Sequence, residues 1–351
     1  MTDKIRVLLV DDSVLARSAL RAIFETDAGF EVMAEVANGV EAVAQVKRER
    51  PDLIAMDLVM PKMGGIEAIE EIMSSRPVPI LVVSDYTSAQ SAYAAVSHGA
   101  VDVVAKPGLD ADGIHTFLER ARLVARIPVI THVKALRYQR ATPVAEPLLP
   151  PLIASDASVR QGPVFAIASS TGGPQALAQI LGQLPGAFAC PVLVAQHVIP
   201  GFAAGMAQWL ATVSNLPVKL AELGEPVLPG VVYLSPSEAH LAISRNYRID
   251  LQKVRASDVY RPSCNVLLDS VAQVCGERSV GIILTGMGSD GAKGIASIRA
   301  AGGQTLAQDE TSSVVYGMNR VAIDSGKVDR VLPLEDIAGA MVRLMNRMMR
   351  P

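Results

Sequence analysis

Along nearly the whole chain, short runs of branched apolar residues alternate with segments of helical period, and most runs end in a polar residue. Parallel strands need a crossover, usually a helix, so this alternation dictates helices layered on mostly parallel sheets. From Ile5 to about Val124 the runs are IRVLLV, EVMAEV, LIAMD, PILVVS and VDVVAK. Between them, Leu15, Ala19, Leu20, Ile23 and Phe24, then Val40, Val43 and Val46, recur at helical spacing. Five βα units are expected there. Alternation resumes at Val164 with VFAIAS, CPVLVAQ, VGIILT, GQTLAQ and DRVLPL, separated by amphipathic segments such as PQALAQIL. Between these regions the periodicity fades and Pro143, Pro147, Pro150, Pro151 and Pro163 accumulate, a composition suited to an extended tether. The expected organisation is a domain over 1–126, a linker over 127–161 and a second, larger α/β domain over 162–351.

A chain of 351 residues has the length of two ordinary domains, and 50% hydrophobic against 19% charged residues excludes a disordered chain or a charge-rich coiled coil. Lys and Arg total 32 against 35 Asp and Glu, a net charge of −3, so no basic excess is available to neutralise nucleic acid or anionic lipid. Only the four apolar residues Val7 to Val10 precede Asp11 and Asp12, too few for a signal-peptide core, and no run reaches the length of a membrane span. Cys190, Cys264 and Cys275 are odd in number and form no CxxC, which argues against a disulfide framework or a zinc site. A cytoplasmic protein with no nucleic-acid partner and no direct membrane insertion is expected.

In the first domain, Asp11 and Asp12 follow the first strand, Asp57 ends the third, Ser84 ends the fourth and Lys106 follows the fifth. A doubly wound sheet gathers all of these at its carboxyl edge. Three carboxylates there suit a magnesium ion that also holds phosphate oxygens, and a carboxylate so placed can accept a phosphoryl group. Any one of these residues alone would pass for a helix cap or a solvated turn; together they point to phosphoryl chemistry.

In the second domain, VFAIASSTGGPQAL places Ser169, Ser170 and Thr171 at a strand end, with Gly172 and Gly173 opening a turn and Pro174 starting a helix. This is not the GxSxG elbow of the α/β-hydrolases. A serine nucleophile needs a base. The domain offers His197, at the end of the next strand, and His240, entering what reads as an antiparallel pair; His197 is the better placed. Asp290 follows the buried run VGIIL on the same edge and completes a Ser-His-Asp set, although it also reads as the N-cap of the following helix. A rival reading takes Gly286, Gly288 and Gly291 as GxGxxG, with Asp309 about 20 residues on, as a Rossmann-type NAD-binding oxidoreductase site over 280–310. That reading leaves Ser170 and His197 without a role and sets Asp290 against a pyrophosphate.

VDDS at 10–13, MDLVMPKMGG at 56–65, VVSD at 82–85 and AKP at 105–107 resemble the response-regulator receiver domain. The resemblance implies a flavodoxin-like fold phosphorylated at Asp57, with magnesium held by Asp12 and Asp57, Asp11 assisting through water, and Ser84 and Lys106 as the switch pair. Val103 stands where receivers usually carry an aromatic switch residue. ASSTGGPQAL, QHVIPGF, LPGVVYLSP, RPSCNVLLDS, GIILTGMGSDGAKG and AQDETSSVVYGMNR resemble the catalytic domain of the protein-glutamate methylesterases of bacterial chemotaxis. This second resemblance implies Ser170 as nucleophile, His197 as general base, Asp290 as the orienting acid, main chain around Met287 in the oxyanion hole and Thr171 as a positioning residue. It also implies methyl-accepting chemotaxis receptors as substrate, a histidine kinase as phosphodonor, no cofactor for the esterase, and a receiver that covers the hydrolase site until phosphorylated. Two positions depart from the family pattern: Ala168 replaces a glycine and Asn265 an aspartate. The competing class is a receiver-controlled binding or output module with an inactive serine site.

Overall fold

The computed structural model describes residues 4–84, 89–108, 110–127, 129, 162–255 and 257–350. Apart from Ile127 and Val129, the expected linker lies outside them. The chain divides into two compact units, Met1–Gln139 and Arg140–Pro351.

The first unit is a five-stranded, wholly parallel sheet of order β2-β1-β3-β4-β5, built from β1 Ile5–Val10, β2 Phe30–Val36, β3 Leu53–Met56, β4 Ile80–Ser84 and β5 Asp102–Ala105. Helices α1 Val14–Glu25, α2 Gly39–Arg48, α3 Gly65–Ser75, α4 Ala89–Ser97 and α5 Ala111–Ala125 alternate with the strands. Caps fix the helix starts. Ser13, Asn38 and Asp110 accept the N–H groups of Ala16, Glu41 and Gly113, and Glu41 reaches back to the N–H of Ala37. The apolar stripe of α1 buries Leu20, Ile23 and Phe24, at about 1.5–3 kcal/mol for each side chain of this kind taken fully from water.

The second unit is a seven-stranded parallel sheet of order β14-β13-β12-β6-β7-β9-β8. Its strands are β6 Val164–Ser169, β7 Val192–Gln196, β8 Val218–Leu220, β9 Val232–Leu234, β12 Ser279–Ile283, β13 Gln304–Gln308 and β14 Arg330–Leu332; β10 Ala239–Ile243 and β11 Ile249–Lys253 form a separate antiparallel hairpin. The helices are α6 Gly173–Gln183, α7 Ala203–Val213, α8 Cys264–Cys275, α9 Ala292–Ala300, α10 Met318–Asp324 and α11 Leu334–Met348. Every residue of β6, β7 and β12 is buried, so these runs read as continuously apolar rather than alternating. Chain order reverses at β6: the chain leaves it toward β7 and returns on its other side as β12, which places a ligand-binding crevice at the carboxyl ends of these three strands. Both sheets agree with the doubly wound α/β expectation. The short strands β8 and β9 were not foreseen as strands.

Candidate active site

Ser170, His197 and Asp290 follow β6, β7 and β12, three adjacent strands. His197 Nε2 lies 2.8 Å from Asp290 Oδ2. The ring is thus turned opposite to the chymotrypsin arrangement, in which Nδ1 meets the aspartate, and Nδ1 is the nitrogen left for a serine proton. The Ser170 hydroxyl makes no hydrogen bond among the described residues, as unliganded serine sites often show.

The turn carrying Ser170 is braced from below. Ser170 N–H donates to Thr285 O at 3.0 Å, Thr285 Oγ1 donates to the carbonyl of buried Thr171 at 2.9 Å, and Thr285 N–H donates to Gln308 Oε1 at 2.8 Å. Gln196 Nε2 donates to Ser170 O at 2.9 Å and His197 O at 2.8 Å, tying the two candidate catalytic residues through one carboxamide. Ser169 Oγ holds that carboxamide by donating to Gln196 Oε1 at 2.6 Å. A side chain at Gly286 would stand 2.7 Å from Ser170 Cβ, and one at Gly172, where φ is +77°, 2.5 Å from Val314; glycine is required at both.

Asp290 is buried and receives four donors besides His197: the N–H groups of Cys264 at 2.6 Å, Asn265 at 3.0 Å and Gly291 at 3.1 Å, and Ser263 Oγ at 3.2 Å. Burial alone would raise its carboxyl, but His197 and the amides of Cys264 and Asn265 outweigh burial and hold it below the ordinary carboxylate range. Asp290 therefore caps α8 from a distance rather than starting α9. The start of α9 is taken by Asn265, whose Oδ1 accepts the N–H groups of Gly291 at 3.0 Å and Gly294 at 2.9 Å.

This capping answers the dinucleotide reading of Gly286, Gly288 and Gly291. The helix N-terminus that a pyrophosphate would need is already occupied by Asn265, and Asp309, the expected ribose ligand, binds Ser312 within its own loop. Met287 lies in the same segment, 45% exposed, with its N–H given no internal acceptor among the described residues. Sequence reasoning did not find Gln196, Thr285 or Tyr260, and it singled out Asn265 only as a departure from the family pattern, without a role. The Tyr260 ring stacks on His197 with centroids 5.1 Å apart and an interplanar angle of 11°. No local pattern marks these residues; their roles depend on contacts across the sheet edge.

At the carboxyl edge of the first sheet, carboxylate oxygens of Asp11, Asp12 and Asp57 lie within 4.8 Å of one another. Lys106 Nζ bridges Asp11 Oδ2 at 2.9 Å and Asp57 Oδ2 at 3.0 Å, and Leu58 N–H donates to Asp57 Oδ1 at 2.7 Å. Burial holds the Asp57 carboxyl above its ordinary range against the opposing pull of Lys106. For Lys106, burial is outweighed by the hydrogen bonds it donates to Asp11 and Asp57, and its ammonium stays above its usual range. Ser84 Oγ is buried and unpartnered among the described residues, a hydroxyl aimed at no internal group. Three hard oxygen donors fit magnesium.

The receiver-domain family model matches residues 7–119 and the CheB methylesterase family model residues 165–341. A response regulator with a hydrolase as its output unit is the class these matches define. The protein-glutamate methylesterase/protein-glutamine glutaminase 3 of Paramagnetospirillum magneticum is 52% identical over 97% of this chain and 96% of its own length. The protein-glutamate methylesterase/protein-glutamine glutaminase 4 of Myxococcus xanthus is 41% identical over 97% and 96%. The crystal structure of the Thermotoga maritima CheB methylesterase catalytic domain, 39% identical, covers 52% of this chain and 98% of that one with a TM-score of 0.51. The chain belongs to the receiver-linked CheB methylesterase family. Receiver domains are magnesium-binding phosphorylation units, and among the described residues no helix is long and apolar enough to cross a membrane.

Proposed function

We propose that the chain hydrolyses glutamate methyl esters, and deamidates glutamines, on methyl-accepting chemotaxis receptors under the control of its receiver. The observation that carries this reading is the gathering of Ser170, His197 and Asp290 at the ends of three adjacent strands, with the 2.8 Å contact between His197 and Asp290. Ser170 Oγ attacks the ester carbonyl while His197 Nδ1 takes its proton, and Asp290 steadies the resulting imidazolium. The N–H of Met287 holds the developing oxyanion. Collapse expels methanol, or ammonia from a glutamine, with the proton returned by His197. Water, deprotonated by the same ring, then attacks the acyl-enzyme, frees the glutamate and restores Ser170. Thr171 and Gln196 keep the nucleophile turn in register with His197.

In the receiver, Asp57 is the proposed phosphoacceptor, with a histidine kinase as donor. Asp11, Asp12 and Asp57 would hold magnesium, which when bound neutralises charge on the incoming phosphoryl group. Ser84 and Lys106 then turn toward the phosphoryl oxygens. The proposed boundaries are 1–126 for the receiver, 127–161 for the linker and 162–351 for the esterase, in a cytoplasmic protein. Phosphorylation need only bias a docking equilibrium between units held at high local concentration by the tether. Methanol release from methylated receptor tests the reading: the intact protein with magnesium and a small phosphodonor should release it, and a protein that releases none is a binding or output module instead.

A further inference from the structure

We infer that Tyr260 is a positioning residue for the general base, its stacked ring steadying the imidazolium that forms when Ser170 gives up its proton. This rests on the reading of His197 as base and extends it to a residue outside the triad. The two rings lie 5.1 Å apart and 11° from parallel, an offset stack rather than a chance edge contact. On the far side, the Tyr260 hydroxyl comes within 2.8 Å of where a side chain at Gly288 would begin, so the phenol ring spans the crevice from His197 to the segment of Met287.

Tyr260 sits between two anchored residues. Asp258 Oδ2 lies 3.1 Å from His240 Nε2 and accepts the N–H of Arg255 at 2.6 Å, and Arg261 Nε donates to Asp258 O at 3.1 Å. Ser263 N–H donates to His240 Nδ1 at 2.8 Å. Accepting at Nδ1 obliges a neutral His240 ring to carry its proton on Nε2, facing Asp258. His240, 5% exposed within the β10–β11 hairpin, is thus spent on clamping the segment that carries Tyr260. Ser263 continues the connection, since its Oγ donates to Asp290. One buried histidine therefore sets both neighbours of the other: the stacked ring and the carboxylate.

The stack favours the transition state. An aromatic face attracts a cation more strongly than a neutral ring, and His197 is neutral before the attack and charged during it. The contact should therefore act on kcat and leave KM nearly alone. In the intact protein assayed for methanol release, Tyr260→Phe should stay within about 2-fold of the parent, while Tyr260→Leu should lower kcat by roughly 5- to 30-fold with KM within about 2-fold. Ring protons of His197 in histidine-labelled protein should be shifted upfield by the stacked ring in the parent and in Tyr260→Phe, and not in Tyr260→Leu. Equal melting temperatures in parent and Tyr260→Leu would set the kinetic change apart from misfolding. An active parent with a fully active Tyr260→Leu, a Tyr260→Phe as slow as Tyr260→Leu, or a loss confined to KM overturns the role of Tyr260 alone. A parent that releases no methanol overturns the esterase reading and the role together.

Discussion

Asn265 and Asp290 cap each other's helices: Asn265 Oδ1 takes the first N–H groups of α9 while Asp290 takes those of α8. The exchange locks the proposed orienting acid to two helix ends at once. It also explains how asparagine serves where the family pattern has aspartate, since only an acceptor oxygen is used. Asn265→Ala should cost about 0.5–2 kcal/mol of stability, as lost N-caps do, and Asn265→Asp little or none. Thermal melts of the two variants check this; equal losses would mean that the amide group itself is needed.

Ser170→Ala should remove nearly all methanol release, by about 10⁴- to 10⁶-fold, without altering the melting temperature, because it deletes the nucleophile and creates no cavity. Ser169→Ala should behave in the opposite way. Its hydroxyl is the donor that fixes Gln196, and an orphaned buried acceptor costs about 1–3 kcal/mol, so the melt should shift while most activity survives.

His197→Gln and Asp290→Asn should both be slow, yet only the second should also be unstable. Replacing the carboxylate sets an amide against several N–H donors that Asp290 now satisfies. The Asp290 carboxyl is held below its ordinary range, so its contribution to stability is complete above the range of an unfolded carboxylate and is lost as pH falls through the lower folded value. Acid unfolding of Asp290→Asn should lack that component, which parallel pH titrations of fluorescence or circular dichroism would reveal.

Asp57→Asn should block activation by a small phosphodonor and stabilise the receiver. The folded Asp57 carboxyl is raised, so the folded state binds its proton more tightly than the unfolded chain. Stability therefore falls as pH rises from the ordinary carboxylate range through the folded value, and the neutral amide escapes that loss. Hydrogen exchange of β1 and β3 amides near neutral pH should be slower in Asp57→Asn; faster exchange would mean that the pair with Lys106 outweighs burial.

A fragment over 162–351 should be more active than the unphosphorylated whole chain and indifferent to Asp57→Asn. A slower fragment would make the receiver a required activator and end the occlusion model.

The βα alternation and the polar residue closing each buried run were legible because both are local, and they led to Ser170, His197 and Asp290. Tyr260, Gln196 and the capping role of Asn265 were not, because each works by meeting a residue distant in sequence. The orientation of the His197 ring was hidden for the same reason: it is set by where β12 lies relative to β7, on the far side of β6. Asp309 shows the converse failure, since it stands at a motif's spacing yet its side chain turns inward to Ser312.

That Asp290 returns to the sheet beside β6 only after more than a hundred intervening residues also bears on biosynthesis. A nascent chain that has emerged as far as α8 holds Ser170 and His197 but not Asp290, and the first N–H groups of α8 lack the carboxylate that caps them. On the proposed mechanism, hydrolytic competence should thus arrive with the closing of the sheet rather than with any one segment. On that mechanism, a ribosome-bound or truncated product ending before β12 should release no methanol, whatever the state of its receiver.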